Sequence, residues 1–321
     1  MAGLGVSPSA RERHACAVGV PASLWLWLAA SAVMSATVLL GQWGALLAWP
    51  VTAFWWLGRS GRWFAAGLWL GFAISLKLFL APLSGWCLLR RDARVAVLGS
   101  LLGATAAVAL GAAVYGPFAY LEWINQLRSV SWYWGVTNAS VWGWIARTWS
   151  PSPYFTAVAH LPISWVYGLS IALSTIVGVI SLLRAQHVDV DQAVALLVIA
   201  SLWCSPLGWI YYGWLALPPV LWLWLDGRLP PLLVLAGAVL LLWSPLPIFG
   251  WLSVRGVQTG WWSFTLGSAY FWGLTAFLLA AYYARPTNGV SRGNAPVSSA
   301  EEVSNPLGGA RKSLIHLGAL Q

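Results

Sequence analysis

The sequence predicts an all-α fold, a polytopic transmembrane helix bundle of about eight full spans plus one broken half-helix hairpin. Three observations predict it. Of the 321 residues, 60% are hydrophobic and only 8% are charged, whereas about a quarter of a soluble domain is charged. Apolar runs fall at 22–40, 43–58, 63–89, 95–115, 157–183, 192–208, 209–225, 229–243 and 263–284, most of them close to the ~20 residues that cross a hydrocarbon core. Tryptophan occurs 26 times, as expected where amphipathic rings anchor at the headgroup level.

The net charge of +9 would suggest nucleic acid in a soluble protein, but here the arginines sit in short gaps between apolar runs, where they set orientation. Nucleic acid is therefore not an expected partner, and membrane lipids are. Residues 1–21, with Arg11 and Arg13, read as a cytoplasmic tail, and the run that follows is too long for a signal-peptide core. Cys16, Cys87 and Cys204 have neither disulfide nor zinc spacing and read as packed or lipid-facing.

Arg59 and Arg62 close one gap and Arg90, Arg91 and Arg94 the next, and both belong in the cytoplasm by the positive-inside rule. A single crossing cannot join two loops on one side. Trp63 to Leu89 carries Lys77 near its middle and Pro82 just beyond, so it predicts two half-helices that meet within the membrane, their break lining a cavity. The remaining runs then alternate, with 184–191, 226–228 and the tail 285–321 inside. Thirteen of the seventeen basic residues are cytoplasmic on this scheme, as are both termini, and the tail reads as disordered.

The membrane domain thus spans 22–284, with a long outer segment at 116–156. Phe118 to Val130 has apolar residues at helical spacing interleaved with Glu122, Gln126 and Arg128, the pattern of a helix lying on the interface. Trp123, Trp132, Trp134, Trp142, Trp144 and Trp149 cluster in this segment and either anchor it or stack on sugar faces.

Lys77 is the sharpest chemical signal, because an ammonium at membrane depth needs a partner or a cavity. No acidic residue lies in the adjacent runs, so an anionic lipid phosphate is the expected partner. Asp189-Val190-Asp191 has the D-x-D form of nucleotide-sugar transferases but no βαβ domain around it, and reads as a solvated loop. His14, His160, His187 and His316 are too dispersed for a metal cluster and read as surface or interface residues. No H-E-x-x-H, P-loop or nucleophile elbow occurs, and neither metal nor cofactor is expected. On this topology Glu122 is the single carboxylate outside, hence the candidate catalytic base.

Several runs resemble glycosyltransferase family 87: Leu40-Gly41-Gln42; Ala66-Gly67-Leu68 through Leu70-Gly71-Phe72-Ala73 and Lys77 to Pro82; Leu89-Arg90-Arg91. Tyr115-Gly116-Pro117 resembles the opening of that family's outer segment. Thr137-Asn138-Ala139-Ser140-Val141-Trp142-Gly143 with Arg147 is similar to its asparagine motif, and Ser205-Pro206-Leu207-Gly208-Trp209 to its S-P-x-S-W turn. The likeness covers about residues 24–284.

It implies a GT-C-like architecture and transfer of a hexose, typically mannose, from a polyprenyl-phosphate sugar donor to a lipid or glycan acceptor at the outer face of the bacterial inner membrane. A single displacement would invert a β-linked donor to an α-glycoside. On the resemblance, Lys77 meets the donor phosphate, with Arg147 or Arg128 supporting the leaving group and Tyr211 and Tyr212 placed to hydrogen-bond it. Gln42, Asn138, Trp142 and Trp209 are the expected sugar or acceptor contacts. The resemblance also places a catalytic Asp in a first outer loop. No acidic residue here occupies one, so the expectation is that the N-terminal span and loop are lacking and that the chain alone transfers sugar poorly. A transporter of lipid-linked sugar and a non-catalytic membrane subunit are the rival readings.

Overall fold

The computed structural model describes residues 31–286 except 43, 130–132, 153 and 243. The N-terminal tail, the start of the first run, Trp132, His14, His316, Cys16 and the tail beyond 286 lie outside the described residues. These form α1 (Ala32–Leu39), α2 (Gly44–Arg59), α3 (Trp63–Leu76), α4 (Ala81–Leu89), α5 (Val95–Tyr115), α6 (Phe118–Arg128), α7 (Val141–Trp149) and α8 (Ile163–Ala185). There follow α9 (Val190–Cys204), α10 (Leu217–Leu225), α11 (Pro231–Leu240), α12 (Leu246–Val254), α13 (Gly260–Phe264) and α14 (Ala269–Tyr282). Turns of 3-10 helix occupy Leu78–Leu80, Arg91–Ala93, Ile210–Leu215 and Leu266–Ser268. No strand occurs among the described residues.

Against the expectation of about eight full spans, three helices among the described residues are long and apolar enough to cross: Arg91–Tyr115, Ile163–Ala185 and Gly260–Tyr282. The other apolar runs are cut by their own residues. Proline enters the first turn of α4, α10, α11 and α12, where its missing N–H is tolerated and an α-helix tends to begin. The run 209–225 accordingly opens as the 3-10 turn Ile210–Leu215. α5 and α8 turn Leu98, Leu101, Leu110, Ile171, Ile176 and Val179 outward, an apolar surface in keeping with a bilayer around it.

The break at Lys77 is present. Its backbone is extended, with φ −142° and ψ 91°, between α3 and the 3-10 turn that opens α4. Trp63 and Trp86 then meet edge to face at 5.9 Å, and the Arg90 guanidinium lies 6.0 Å from the Trp63 ring. The two ends of the segment are therefore side by side.

Small residues fix how α3 meets α5. A Cβ on Gly67 would meet the Ala96 carbonyl, one on Gly71 the Ser100 carbonyl, one on Gly99 that of Phe64, and one on Gly103 that of Leu68. Two G-x-x-x-G stretches thus bring the backbones into contact. The paired numbers rise together, so α3 and α5 run parallel, which requires α4 to run back between them.

α9 is the core helix, buried from Asp191 to Trp203. At its N-terminal end the basic loops gather. Arg59 pairs with Asp191 at 3.1 Å, the Arg90 Nη1 donates to the Val188 carbonyl at 3.4 Å, and Arg228 pairs with Asp189 and donates from Nε to the Arg285 carbonyl at 2.7 Å.

The D-x-D is therefore not a solvated loop. Asp189 caps α9 by accepting from the amides of Asp191 and Gln192, and Asp191 accepts from Trp55 Nε1 at 2.9 Å. Cys87 is buried and Cys204 half-buried, while His160 and His187 are exposed.

Candidate functional site

Two motifs that look separate in the sequence form one structure. Asn138 and Trp209 make an antiparallel bridge, extended by Ala139 N–H to the Gly208 carbonyl and Ile210 N–H to the Thr137 carbonyl, each at 2.8 Å. The side chain of Asn138 is wholly buried. Its Nδ2 donates to the carbonyls of Pro206 (2.9 Å) and Tyr133 (3.0 Å), and its Oδ1 accepts from Ser140 Oγ at 2.8 Å. Ser140 in turn caps α7 through the Gly143 amide. Gly208 leaves no room for a side chain, since a Cβ there would meet the Leu202 carbonyl and Ser140.

From Trp209 a line of rings leads to the cation. Trp209 stacks on Tyr211 at 6.3 Å, Tyr211 meets Tyr212 edge to face at 4.7 Å, and Lys77 Nζ lies 4.6 Å from the centroid of the Tyr212 ring. A quadrupolar ring face attracts an ammonium, yet it supplies no counter-charge. No described carboxylate lies within ion-pairing distance of Lys77. Gly44, at the start of α2, closes on the Tyr211 carbonyl, where a Cβ would stand at 2.5 Å. Gln42 is in the turn just before it, its side-chain amide donating to the Leu40 carbonyl at 3.3 Å.

Arg147 lies under this arrangement, with no exposed surface. Its Nη1 donates to the carbonyls of Gly135 (2.7 Å) and Asn138 (3.0 Å) and its Nε to Ser268 Oγ at 3.2 Å. Burial pushes the guanidinium down to about 9, so it stays charged at neutral pH. What it does here is hold the 135–138 turn against the Leu266–Ser268 turn. The expected support of a leaving group by Arg147 rests on the resemblance, which carries its charge and not its enclosure.

The other expected residues are dispersed. Trp142 packs with Tyr133 and Tyr167 and donates from Nε1 to Ser174 Oγ at 3.1 Å. Trp144 stacks on Phe271 at 4.9 Å within a cluster holding Trp149, Phe264 and Trp272. Glu122 is exposed on α6 and Arg128 closes that helix. α6 is tied to α5 through Tyr120 Oη to the Val108 carbonyl at 3.0 Å. Glu122 shares no hydrogen bond, ion pair or ring contact with the Lys77 group.

A helical membrane protein with a lone ammonium at a helix break, backed by the paired asparagine and S-P turns, defines a class, and the comparisons place it. The chain belongs to glycosyltransferase family 87, whose family model matches residues 2–206. It is 29% identical over 248 residues to the polyprenol-phosphate-mannose-dependent alpha-(1-2)-phosphatidylinositol mannoside mannosyltransferase of Mycobacterium tuberculosis, an alignment covering 73% of this chain and 56% of that relative. The chain thus spans a little over half the length of the curated relative it matches. No solved structure matches it.

Proposed function

We propose that this chain is a membrane glycosyltransferase that moves a hexose, mannose in the first instance, from polyprenyl phosphate to a lipid or glycan acceptor at the outer face of the bacterial inner membrane. The observation that carries the reading is Lys77: an ammonium at a break between apolar helices, 4.6 Å from the Tyr212 ring and without a carboxylate partner among the described residues. A lipid-linked phosphate arriving from the bilayer would supply the counter-charge, and its leaving oxygen would be stabilised where the reaction develops charge. The Tyr211 and Tyr212 hydroxyls serve the same phosphate. Gln42 and Trp209, beside them, face the sugar, while Asn138 and Arg147 hold the turn that positions Trp209. The end that carries the arginine loops is cytoplasmic, as the positive-inside rule requires, and the domain spans 22–284.

In this reading Glu122 belongs to the exposed face of a surface helix. Vesicles holding the purified chain, given polyprenyl-phosphate [14C]mannose and bacterial membrane lipids, should form a labelled glycolipid. Lys77→Met should abolish its formation while the protein stays folded, and Glu122→Gln should change it little. Undiminished turnover in Lys77→Met would remove Lys77 from the site. Label that crosses the membrane still joined to polyprenyl phosphate would make the chain a carrier.

A further inference from the structure

Away from Lys77, the start of α8 and the outer loop border a recess lined by Tyr133, Trp134, Trp142, Ser150, Tyr167 and Ser170. Three of its walls are aromatic. Tyr133, Trp142 and Tyr167 stand with ring centroids 5.9, 6.2 and 6.0 Å apart, in a mixture of tilted and edge-to-face contacts.

The polar groups are unevenly committed. Trp142 Nε1 is bonded to Ser174 Oγ and the Ser170 hydroxyl to the Val166 carbonyl. Neither the Tyr133 nor the Tyr167 phenol hydroxyl takes a hydrogen-bond partner among the described residues. The two phenols are close neighbours: burial, and then the adjacent Tyr167, raise the Tyr133 phenol above its ordinary value. Tyr133 is half-buried and Tyr167 exposed, so both hydroxyls are free to bond a group from outside the protein.

Aromatic faces next to paired hydroxyl groups suit a pyranose, which presents C–H patches on its faces and hydroxyls around its edge. The position suits it as well. α8 is one of the three helices able to cross a membrane, and Tyr167 lies in its first turns, which puts the recess at headgroup depth. The recess is also joined to the Asn138–Trp209 pairing, because the Tyr133 carbonyl accepts from Asn138 Nδ2 at 3.0 Å.

We propose that the recess walled by Tyr133, Trp142 and Tyr167 is a hexopyranose-binding subsite that holds a sugar of the glycolipid acceptor, separate from the group that meets the donor phosphate. Its assignment to the acceptor rests on the transferase reading above; the binding of a hexopyranose does not.

The test uses the full chain in lipid nanodiscs and methyl α-D-mannopyranoside as the probe, followed by saturation-transfer NMR. Wild type should transfer magnetisation to the sugar ring protons. Tyr167→Ala, which removes one wall, should weaken binding about tenfold or more. Tyr167→Phe keeps the ring and fold and removes one hydroxyl, so it should weaken binding about threefold to tenfold. Lys77→Met should bind the glycoside as wild type does. Absence of transfer in wild type, or equal affinity in both Tyr167 variants and wild type, overturns the subsite. Loss of binding in Lys77→Met overturns it too, by placing the sugar at the donor group. Binding that persists in a chain without any transferase turnover would sink the transferase reading and leave the subsite standing.

Discussion

Asn138 and Trp209 pair across an antiparallel bridge that joins the outer segment to the turn after α9. This small piece of extended backbone, in an otherwise helical molecule, sets where the Tyr211–Tyr212 pair lies, and through Tyr212 where the Lys77 ammonium lies. The buried amide of Asn138, with donors and acceptors all engaged, and the guanidinium of Arg147 make that placement rigid.

Arg147→Lys should act as a severe substitution although it keeps the charge. One ammonium cannot reproduce bonds to Gly135, Asn138 and Ser268 in a fixed fork, and each buried carbonyl left unpaired costs about 1–3 kcal/mol. Hydrogen exchange at the amides of Ala139 and Ile210 should speed up strongly in the variant. Unchanged protection there would mean that Arg147 does not hold the bridge.

Glycines on neighbouring helices should respond oppositely to alanine. Gly71→Ala forces α3 away from the Ser100 carbonyl and should destabilise the fold by about 1–3 kcal/mol or more. Gly85, in α4, has nothing within 4 Å of the point where an alanine methyl would stand, so Gly85→Ala should be neutral or stabilising by about 0.5–1 kcal/mol. Unfolding in mixed micelles measures both, and equal effects would contradict the α3–α5 contact.

Single cysteines at the exposed positions Arg62 and Arg94 should label from the same side of the membrane, and one at the exposed Val257 from the other. Labelling of positions 62 and 94 from opposite sides would refute the return of α4.

Asp189 gives the basic end a pH dependence. Burial raises its pKa, but the Arg228 bond and the amides of Gln192 and Asp191 outweigh it, so the folded value lies below the ordinary one. A carboxyl with a depressed folded pKa contributes stability that is complete above about pH 4 and is lost as pH falls through the folded value. Asp189→Asn keeps the helix cap and loses the charge, so its deficit against wild type should be present at neutral pH and vanish in acid. A deficit that stays constant with pH would assign the effect to packing.

Charge spacing made much of this legible in advance. Arginines at 59, 62, 90, 91 and 94 flank a segment with one lysine, and that alone requires the chain to turn back at Lys77. The polar spacing of Phe118 to Val130 reads as a separate helix, and α6 occupies Phe118–Arg128 of it. The division of the apolar runs into short helices was less legible, because proline opens α4, α10, α11 and α12 yet lies inside α2 at Pro50 without ending it. The Asn138–Trp209 pairing was equally hidden, since extended residues far apart in the chain carry no periodic signal. Gly67, Gly71, Gly99 and Gly103 have a legible spacing, but their effect depends on which helix lies opposite. The enclosure of Arg147 was not legible either, because a charge in the sequence does not reveal what will bury it.

The break at Lys77 also bears on the end of the catalytic cycle. There α3 stops and α4 starts, so the partial negative charge of one helix end is offset by the partial positive charge of the next, and the full charge of the ammonium remains. On the proposed reading the donor arrives as a phosphodiester with a single negative charge and leaves as a monoester, which carries about −1.5 to −2 at neutral pH. The spent carrier is therefore held more tightly than the loaded one, and its escape into the bilayer, not the making of the glycosidic bond, would set the pace of turnover.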